Sequence, residues 1–243
     1  MSTAPKFDPN ANDQLICGLF SKKEAAQMIA DGGTHIHSTT MGYRDEMARF
    51  TSALLNEKNP EPHPWQLVTN CREVSLGSSG ERYKLIKRAT VDMGIFSRRG
   101  YSEKVECVLE ELITNGIYHA YANADGSHKY RRDSSVKLED GEALKVRYGA
   151  SQEGIFISVE DQGGRLSLED IGSAFYRCYY NQDNQIVEDE QGSGLGLYMV
   201  FDLVTHFRVD LYPGKRTVVS CWIAGRRIAH PSIFSFNFFK RGA

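Results

Sequence analysis

The 243-residue chain lacks the features of several specialised protein classes. No apolar run is long enough to span a bilayer, and the first residues lack the apolar core of a signal peptide. The formal net charge is only −2, which gives no electrostatic reason to expect nucleic acid or a membrane surface as a direct partner. The five cysteines include no Cys-x-x-Cys pair, which favours reduced thiols. We therefore expect a globular, cytoplasmic protein.

Two common phosphate-binding motifs and a complete metal motif are also missing. The chain has no Gly-x-x-x-x-Gly-Lys-Ser/Thr sequence, and its glycines at 192–196 do not follow a strand with dinucleotide-binding spacing. His35 and His37 form half of a metal pattern, but no cysteine or carboxylate cluster with ligand spacing lies beside them. We expect these two histidines to lie in a loop.

Among the features that are present, the segment Gln191–Leu197 carries three glycines at alternate positions, 192, 194 and 196. Glycines let a backbone approach an anion closely. The apolar pattern over Leu197–Phe207 predicts a helix, whose first turn offers unpaired N–H groups and the positive end of a dipole. The segment therefore indicates a phosphate-binding turn, although an ordinary turn between two elements has the same signature.

A second segment, Ser102–Tyr121, has the pattern of an amphipathic helix in which Ser102 is the expected N-cap. Glu111 and Asn115 are four residues apart, so they share one helix face at the flank of the apolar stripe. A carboxylate and an amide oxygen placed there reach the same ion or phosphate. Taken alone, the pattern favours an ordinary solvated polar edge. The predicted buried stripe is Val105, Val108, Leu109, Leu112 and Ile113.

A third segment, Ile155–Gly164, predicts a strand that ends in Asp161 and Gly163. A carboxylate at this place accepts a hydrogen bond from the exocyclic amine of adenine, and the glycine gives the flat base room. Guanine presents a carbonyl oxygen there instead, and such polar mismatches discriminate strongly. By itself, Asp-x-Gly after a strand is most often a turn.

Taken together and in this order, the three segments resemble the N, G1 and G2 boxes of the GHKL ATPase superfamily, over roughly Trp65–Gly225. Within that superfamily, Glu111–Tyr121 and Tyr212–Val219 are similar to the corresponding parts of bacterial anti-sigma factor serine kinases. Strands that pair as neighbours, with helices on one face, predict an α+β two-layer sandwich. The expected sheet is mixed and largely antiparallel, as in the Bergerat ATP-binding fold of the superfamily.

The resemblance implies Mg²⁺ and ATP as cofactors, with transfer of the γ-phosphate to a serine or threonine of a partner protein. Glu111 would be the general base, Asn115 would bind Mg²⁺ and the nucleotide, Asp161 would bind adenine, and Gly163 would make room for the base. The remaining nucleotide-binding residues that the resemblance implies are Gly192, Ser193, Gly194, Leu195, Gly196 and Leu197.

The implied partner is a sigma factor or an anti-sigma-factor antagonist, and a homodimer is compatible with the resemblance. Two alternatives stay open. One is an ATP-gated partner-switching module that transfers no phosphate, and the other is a stand-alone histidine-kinase-like ATPase.

The chain also departs from the superfamily pattern. Arg165 stands where a second G1 glycine is usual, although Gly164 is adjacent, and an arginine there places a cation near the nucleotide or alters a hinge. The segment Arg165–Glu190 is long and polar with little periodicity, which predicts a lid. Within it, Phe175–Arg177 is similar to the lid motif of sensor histidine kinases. His119, one turn beyond the N-box asparagine, either contacts the site or is structural.

We divide the chain into an N-terminal helical extension with a proline-rich linker (1–64), a histidine kinase-like ATPase domain (65–227) and an aromatic tail (228–243). Asn59–Pro64 carries three of the seven prolines and predicts an extended boundary. The tail has phenylalanines at mostly alternate positions, which predicts an added edge strand or a docking segment. The extension is expected to pack over the sheet or to support a dimer.

The pattern also predicts individual elements. Capping boxes at Ser21 and Ser78 open helices that run to about Asp31 and Met93. The remaining predicted elements are a helix at Tyr43–Leu55, strands at Gln66–Leu76, Arg208–Tyr212 and Thr217–Ile223, and a hairpin at Leu144–Val159 that turns near Gly154.

Overall fold

The computed structural model describes residues 14–55, 71–95, 100–180, 195–225, 230 and 232–242. Its helices are α1 (Lys22–Ala30), α2 (Glu46–Leu55), α3 (Arg82–Asp92), α4 (Ser102–Tyr118), α5 (Leu168–Tyr180) and α6 (Leu195–Leu203). Its strands are β1 (Leu15–Gly18), β2 (His35–Ser38), β3 (Arg72–Leu76), β4 (Leu144–Ala150), β5 (Gly154–Asp161), β6 (His206–Tyr212), β7 (Arg216–Ala224) and β8 (Phe234–Lys240).

The eight strands form one sheet in the order β1-β2-β8-β6-β7-β5-β4-β3. Only the β1–β2 and β6–β8 pairs are parallel, and the other neighbours are antiparallel. The predicted α+β fold with a mixed, largely antiparallel sheet is therefore confirmed. Within the described ranges, no helix has the length and apolarity needed to cross a bilayer.

One face of the sheet carries the main core. Ile155, Ile157 and Val159 alternate along β5 and pack with residues of α1 and α3–α6, as the period of a strand requires. The predicted stripe of α4 is buried in the same core. Aromatic rings continue this core, with Phe175 of α5 stacked on Phe201 of α6 at a centroid distance of 4.7 Å.

The opposite face of the sheet is covered in part by α2. Met47 of α2 packs against Phe156 and Trp222, whose side chains point away from the main core. His35 and His37 are buried in strand β2, so the prediction that they lie in a loop is wrong. Both rings hydrogen-bond to Asn237 Oδ1, from Nδ1 of His35 at 3.2 Å and Nε2 of His37 at 3.1 Å, which offsets the cost of their burial.

The structure also corrects several predicted boundaries. The Ser21 capping box forms, but no such box opens the helix after Ser78, because Glu81 accepts a hydrogen bond from the Gly77 N–H instead. Ser102 is the first residue of α4 rather than its cap, and its hydroxyl donates to Glu106 Oε1 at 3.1 Å. The region predicted as an aperiodic lid begins with a packed helix, α5, and residues 181–190 lie outside the described part of the chain.

Corrections at the two ends of the chain concern the sheet. The N-terminal extension is not purely helical, since it contributes β1 and β2. The tail strand β8 lies inside the sheet between β2 and β6, so the prediction of an edge strand is wrong. The helix predicted for Leu197–Phe207 ends at Leu203, because Thr205 N–H donates to the Trp222 carbonyl at 2.8 Å and begins the pairing of β6 with β7. The linker Asn59–Pro64 lies outside the described residues.

Helix α1 is fixed against both α5 and α6. The half-buried Lys22 donates from Nζ to three carbonyls at the C-terminal end of α6, those of Phe201 (2.6 Å), Asp202 (2.6 Å) and Val204 (2.9 Å). A cation at this end of a helix is favourable because it satisfies the last carbonyls and the dipole. In α5, a Cβ added at Gly172 would lie 2.9 Å from Ala30 Cα, so the two helices cross in close contact.

Two histidines, the buried His37 and the partly buried His206, predict how stability depends on pH. Burial lowers the pKa of His37 from 6.5 to about 4 and that of His206 to about 3. Between about pH 6.5 and 4 the unfolded chain therefore binds protons that the folded chain does not. Each histidine should lower the free energy of unfolding by on the order of 1 kcal/mol per pH unit as the pH falls through this window.

Urea unfolding at pH 7, 6 and 5 checks this expectation, since most carboxyl groups stay ionised over that range. The variant His206→Asn retains a side chain that can hydrogen-bond to Ser235, whose Oγ lies 2.8 Å from His206 Nδ1. The free energy of unfolding of this variant should depend less steeply on pH than that of the parent. An equal slope in the two proteins would contradict the assignment of a neutral His206 in the folded protein.

Candidate active site

A cavity of about 550 Å³ lies between α4, the end of β5, α5 and the start of α6. This volume is within the range of sites that enclose small molecules. The cavity is lined by residues from segments that are far apart in the sequence, including Asn115, His119, Asp161, Asp170 and Gly196.

One end of the cavity is built by the end of β5. Asp161 Oδ1 accepts hydrogen bonds from the N–H groups of Gly163 at 2.8 Å and Gly164 at 3.2 Å, which fixes its carboxylate. Burial raises the pKa of Asp161 to about 6, and the two backbone hydrogen bonds oppose this rise. The backbone and side chain of Thr217 also act on this carboxyl and oppose the rise of its pKa.

Thr217 of β7 is paired with Asp161 in the sheet and was not singled out from the sequence. Its side chain is buried, and it interacts with the Asp161 carboxyl and helps to lower the pKa of that group. The alternation of Thr217 with the cavity residue Val219 is the signal that could have identified it.

Gly163 has a structural reason to be glycine. A Cβ at this position would overlap the backbone carbonyl of Ala120, which follows α4. The absence of a side chain therefore lets the end of β5 lie directly against the end of α4. Gly163 does not line the cavity itself, so its predicted role of giving the base room stays a prediction.

At the other end, α4 approaches α6. A Cβ on Gly196 would overlap the carboxylate of Glu111, so these two residues are in direct contact. Burial raises the pKa of the Glu111 carboxyl, while the positive charge of Arg132 partly opposes the rise. Asn115, one turn further along α4, lines the cavity, and its Nδ2 is buried without a hydrogen-bond partner in the described ranges.

The residues expected to bind nucleotide are thus only partly described. Asn115, Asp161, Gly196 and Leu197 line one cavity, and Leu195 is the first residue of α6 without lining it. Gly163 does not line the cavity, and the remaining three, Gly192, Ser193 and Gly194, lie outside the described residues.

Three arginines, Arg132, Arg165 and Arg177, line the cavity and make it suited to an anion. The sequence drew attention to Arg165 and to the segment containing Arg177 but not to Arg132. His119 also lines the cavity, and its pKa is lowered to about 4, mainly by burial and further by the charges of Arg132 and His128. It is therefore uncharged at neutral pH.

Asn115, which the resemblance in the sequence assigns to Mg²⁺, lines the cavity together with the carboxylates Asp161 and Asp170. Mg²⁺ prefers oxygen ligands and commonly keeps several waters while one or two protein side chains and substrate phosphates complete its shell. The described residues contain no group of three potential metal-ligating histidine, cysteine or carboxylate side chains. The orphaned Nδ2 of Asn115 is a donor that suits a phosphate oxygen, whereas its Oδ1 is the atom that would hold Mg²⁺.

Comparison with known proteins agrees with this geometry. Serine-protein kinase RsbW of Bacillus subtilis (strain 168) is 23% identical over 145 residues, covering 56% of this chain and 77% of the relative. The proteins of the same name from Bacillus velezensis and Bacillus licheniformis are each 25% identical. The alignment with the Bacillus velezensis protein covers 61% of this chain and 83% of that relative. The alignment with the Bacillus licheniformis protein covers 56% of this chain and 76% of that relative.

The model of the family described as histidine kinase-, DNA gyrase B-, and HSP90-like ATPase matches residues 100–227, more than half of the chain. The match includes α4, the end of β5 and α6, the elements that bring Asn115, Asp161 and Gly196 to one cavity. The chain therefore belongs to the family of histidine kinase-, DNA gyrase B- and HSP90-like ATPases.

Proposed function

We propose that this protein is an ATP-dependent serine/threonine protein kinase of the anti-sigma-factor type, which transfers the γ-phosphate of ATP to a partner protein. The observation that carries the proposal is the contact between Glu111 and Gly196 beside the cavity that Asn115 and Asp161 line. The similarity to proteins named serine-protein kinase supports it. The partner is a sigma factor or an anti-sigma-factor antagonist, as the resemblance in the sequence implies.

Asp161 selects the base in this proposal. Its carboxylate accepts a hydrogen bond from the exocyclic amine of adenine, while Gly163 and Gly164 hold its other oxygen. Thr217, paired with Asp161 in the sheet, acts on the same carboxyl from β7. Guanine is disfavoured because its carbonyl oxygen would face the carboxylate.

Glu111 acts as the general base. Its carboxylate accepts the proton of the acceptor hydroxyl as that oxygen bonds to the γ-phosphorus, and the bond from this phosphorus to the bridging oxygen breaks to release ADP. A pKa raised by burial brings Glu111 closer to the basicity that such a step needs near neutral pH. Asn115 would hold Mg²⁺, which neutralises phosphate charge when bound. Phosphate transfer depends chiefly on such positioning and charge neutralisation.

The function is tested by incubating the full chain with γ-labelled ATP, Mg²⁺ and proteins that co-purify with it from the native host. We expect label on a serine or threonine of a partner protein. ATP labelled on the α-phosphate is the matched control, because the α-phosphate leaves with ADP and should label nothing. Tight ATP binding without transfer would instead support the partner-switching module and contradict the kinase.

A further inference from the structure

The segment that surrounds the three glycines at 192, 194 and 196 lacks positively charged side chains. Residues 178–207 contain no lysine or arginine, and they contain five acidic residues: Asp183, Glu188, Asp189, Glu190 and Asp202. A bound triphosphate carries several negative charges, and its transfer spreads charge over the γ-phosphate oxygens. Cationic side chains that neutralise this charge must therefore come from other parts of the chain.

One such part is the cavity segment, which we define as residues 119–143 between α4 and β4. Its backbone is held by contacts within the segment, such as the isolated bridge between Ala122 and His128. Lys129 Nζ pairs with Glu139 and Glu142, at 2.7 Å in both cases. Tyr118 of α4 anchors the segment through a hydrogen bond from its hydroxyl to the Ser134 carbonyl at 3.4 Å. The segment therefore has a defined course beside the cavity.

The cavity segment places Arg132 at the Glu111 end of the site. Arg132 lines the cavity together with Asn115 and His119 of the α4 side. Of the charged groups that act on the Glu111 carboxyl, Arg132 has the largest effect, and it lowers the pKa that burial raises. Its charge also acts on His119. Arg132 is thus a cation of the cavity lining whose charge acts on the proposed base.

We propose that Arg132 is a further catalytic residue, which binds the γ-phosphate oxygens and stabilises their negative charge during transfer. This inference rests on the proposed function of the site. In the step, the acceptor oxygen bonds to the γ-phosphorus, the bond to the bridging oxygen breaks, Glu111 takes the hydroxyl proton and ADP leaves. Arg132 stays protonated throughout and donates N–H groups to the transferred phosphate.

The neighbouring Arg131 provides a matched control. It belongs to the same segment and carries the same charge, but it does not line the cavity. Its guanidinium instead pairs with Asp133, with Nη2 and Oδ2 3.0 Å apart and both side chains largely exposed. Replacing either arginine with glutamine removes one charge from an exposed segment, so a general electrostatic effect should appear in both variants.

The test measures binding as well as transfer. Calorimetry with Mg²⁺ gives the Kd of a non-hydrolysable ATP analogue and of ADP for the full chain and for Arg132→Gln, Arg132→Lys and Arg131→Gln. We expect Arg132→Gln to weaken binding of the ATP analogue by roughly tenfold to a hundredfold, the range of one charge-assisted hydrogen bond. The Kd of ADP should stay within about threefold of the parental value. Arg132→Lys should lose less affinity for the analogue than Arg132→Gln does. Arg131→Gln should bind both nucleotides with the parental affinity.

Other results would overturn the assignment. An unchanged affinity for the analogue in Arg132→Gln removes Arg132 from the phosphate site, and equal losses for the analogue and ADP remove its specificity for the γ-phosphate. A melting temperature for each variant separates these results from misfolding, and Arg132→Lys keeps the test valid if the glutamine variant is unstable. A parent protein that binds no ATP contradicts the proposed function itself, whereas a parent that binds ATP normally beside an unaffected Arg132→Gln contradicts only this inference.

Discussion

Replacing Glu111 with alanine or glutamine should lower the rate of phosphate transfer to the partner by roughly a hundredfold to ten-thousandfold, the usual contribution of a positioned general base. The affinity for ATP should change little, because the proposed role of Glu111 is to accept the proton of the acceptor hydroxyl rather than to hold the nucleotide. Glutamine preserves the size of the side chain that lies against Gly196, so it separates loss of the base from loss of packing.

The adjacent Glu110 is the control for this experiment. Glu110 is on the same helix, but its carboxylate pairs with Arg82, with Oε1 and Nε 3.0 Å apart. A surface ion pair of this kind contributes little, and the charge of Glu110 only modulates the pKa of Glu111, so Glu110→Gln should retain most of the parental rate. Transfer should be followed with γ-labelled ATP, and binding by calorimetry. Undiminished transfer by both Glu111 variants would remove this residue from the mechanism.

The second large effect is expected at Asp161. Asp161→Asn should weaken ATP binding by roughly tenfold to a hundredfold, or about 1.5–3 kcal/mol, because a charged acceptor for the adenine amine is replaced by a neutral amide. Asparagine keeps an oxygen that can accept from Gly163 and Gly164, so the turn after β5 should be preserved. Calorimetry with Mg²⁺ and ATP gives the measurement.

Inosine triphosphate provides the control from the ligand side, because it has a carbonyl in place of the exocyclic amine. The parent should bind it more weakly than ATP, and Asp161→Asn should bind the two nucleotides with similar affinity. Combining both changes gives a double-mutant cycle that isolates the contact between the carboxylate and the amine. If Asp161→Asn lowers the affinity for both nucleotides by the same factor, Asp161 does not contact the amine.

Below about pH 6 the carboxyl of Asp161 becomes protonated, since its pKa is raised to about 6 by burial. The preference of the parent for ATP over inosine triphosphate should therefore decrease as the pH falls through 6. The variant has no such group at position 161, so its preference should stay constant over the same range.

Local patterns predicted the elements that hold the candidate site. The stripe on α4 and the alternation on β5 depend only on the period of a helix or a strand, and both are present. The spacing of Glu111 and Asn115, and of Asp161 and Gly163, follows from position within these elements. The contact of Glu111 with Gly196 was reached through the resemblance to a family and not through periodicity.

Features that depend on distant pairing were not predictable in this way. The alternation of phenylalanines in β8 shows that a strand exists, but it does not show that β2 and β6 bind on either side of it. His35 and His37 are buried because Asn237, two hundred positions away, supplies their hydrogen bonds. Arg132 belongs to an irregular segment, where no period connects a residue to the cavity.

The central position of β8 has a practical consequence for experiments with shortened proteins. A fragment cut to the family match at residues 100–227 would lose β8 together with β1 and β2. The edge of β6 that pairs with β8 would then be unpaired and exposed to water. The ring of Phe207, which stacks on Phe236 of β8, would also be exposed. Unpaired strand edges of this kind pair with other copies of the chain. Aggregation of such a fragment would reflect the missing strands and would say nothing about its catalysis.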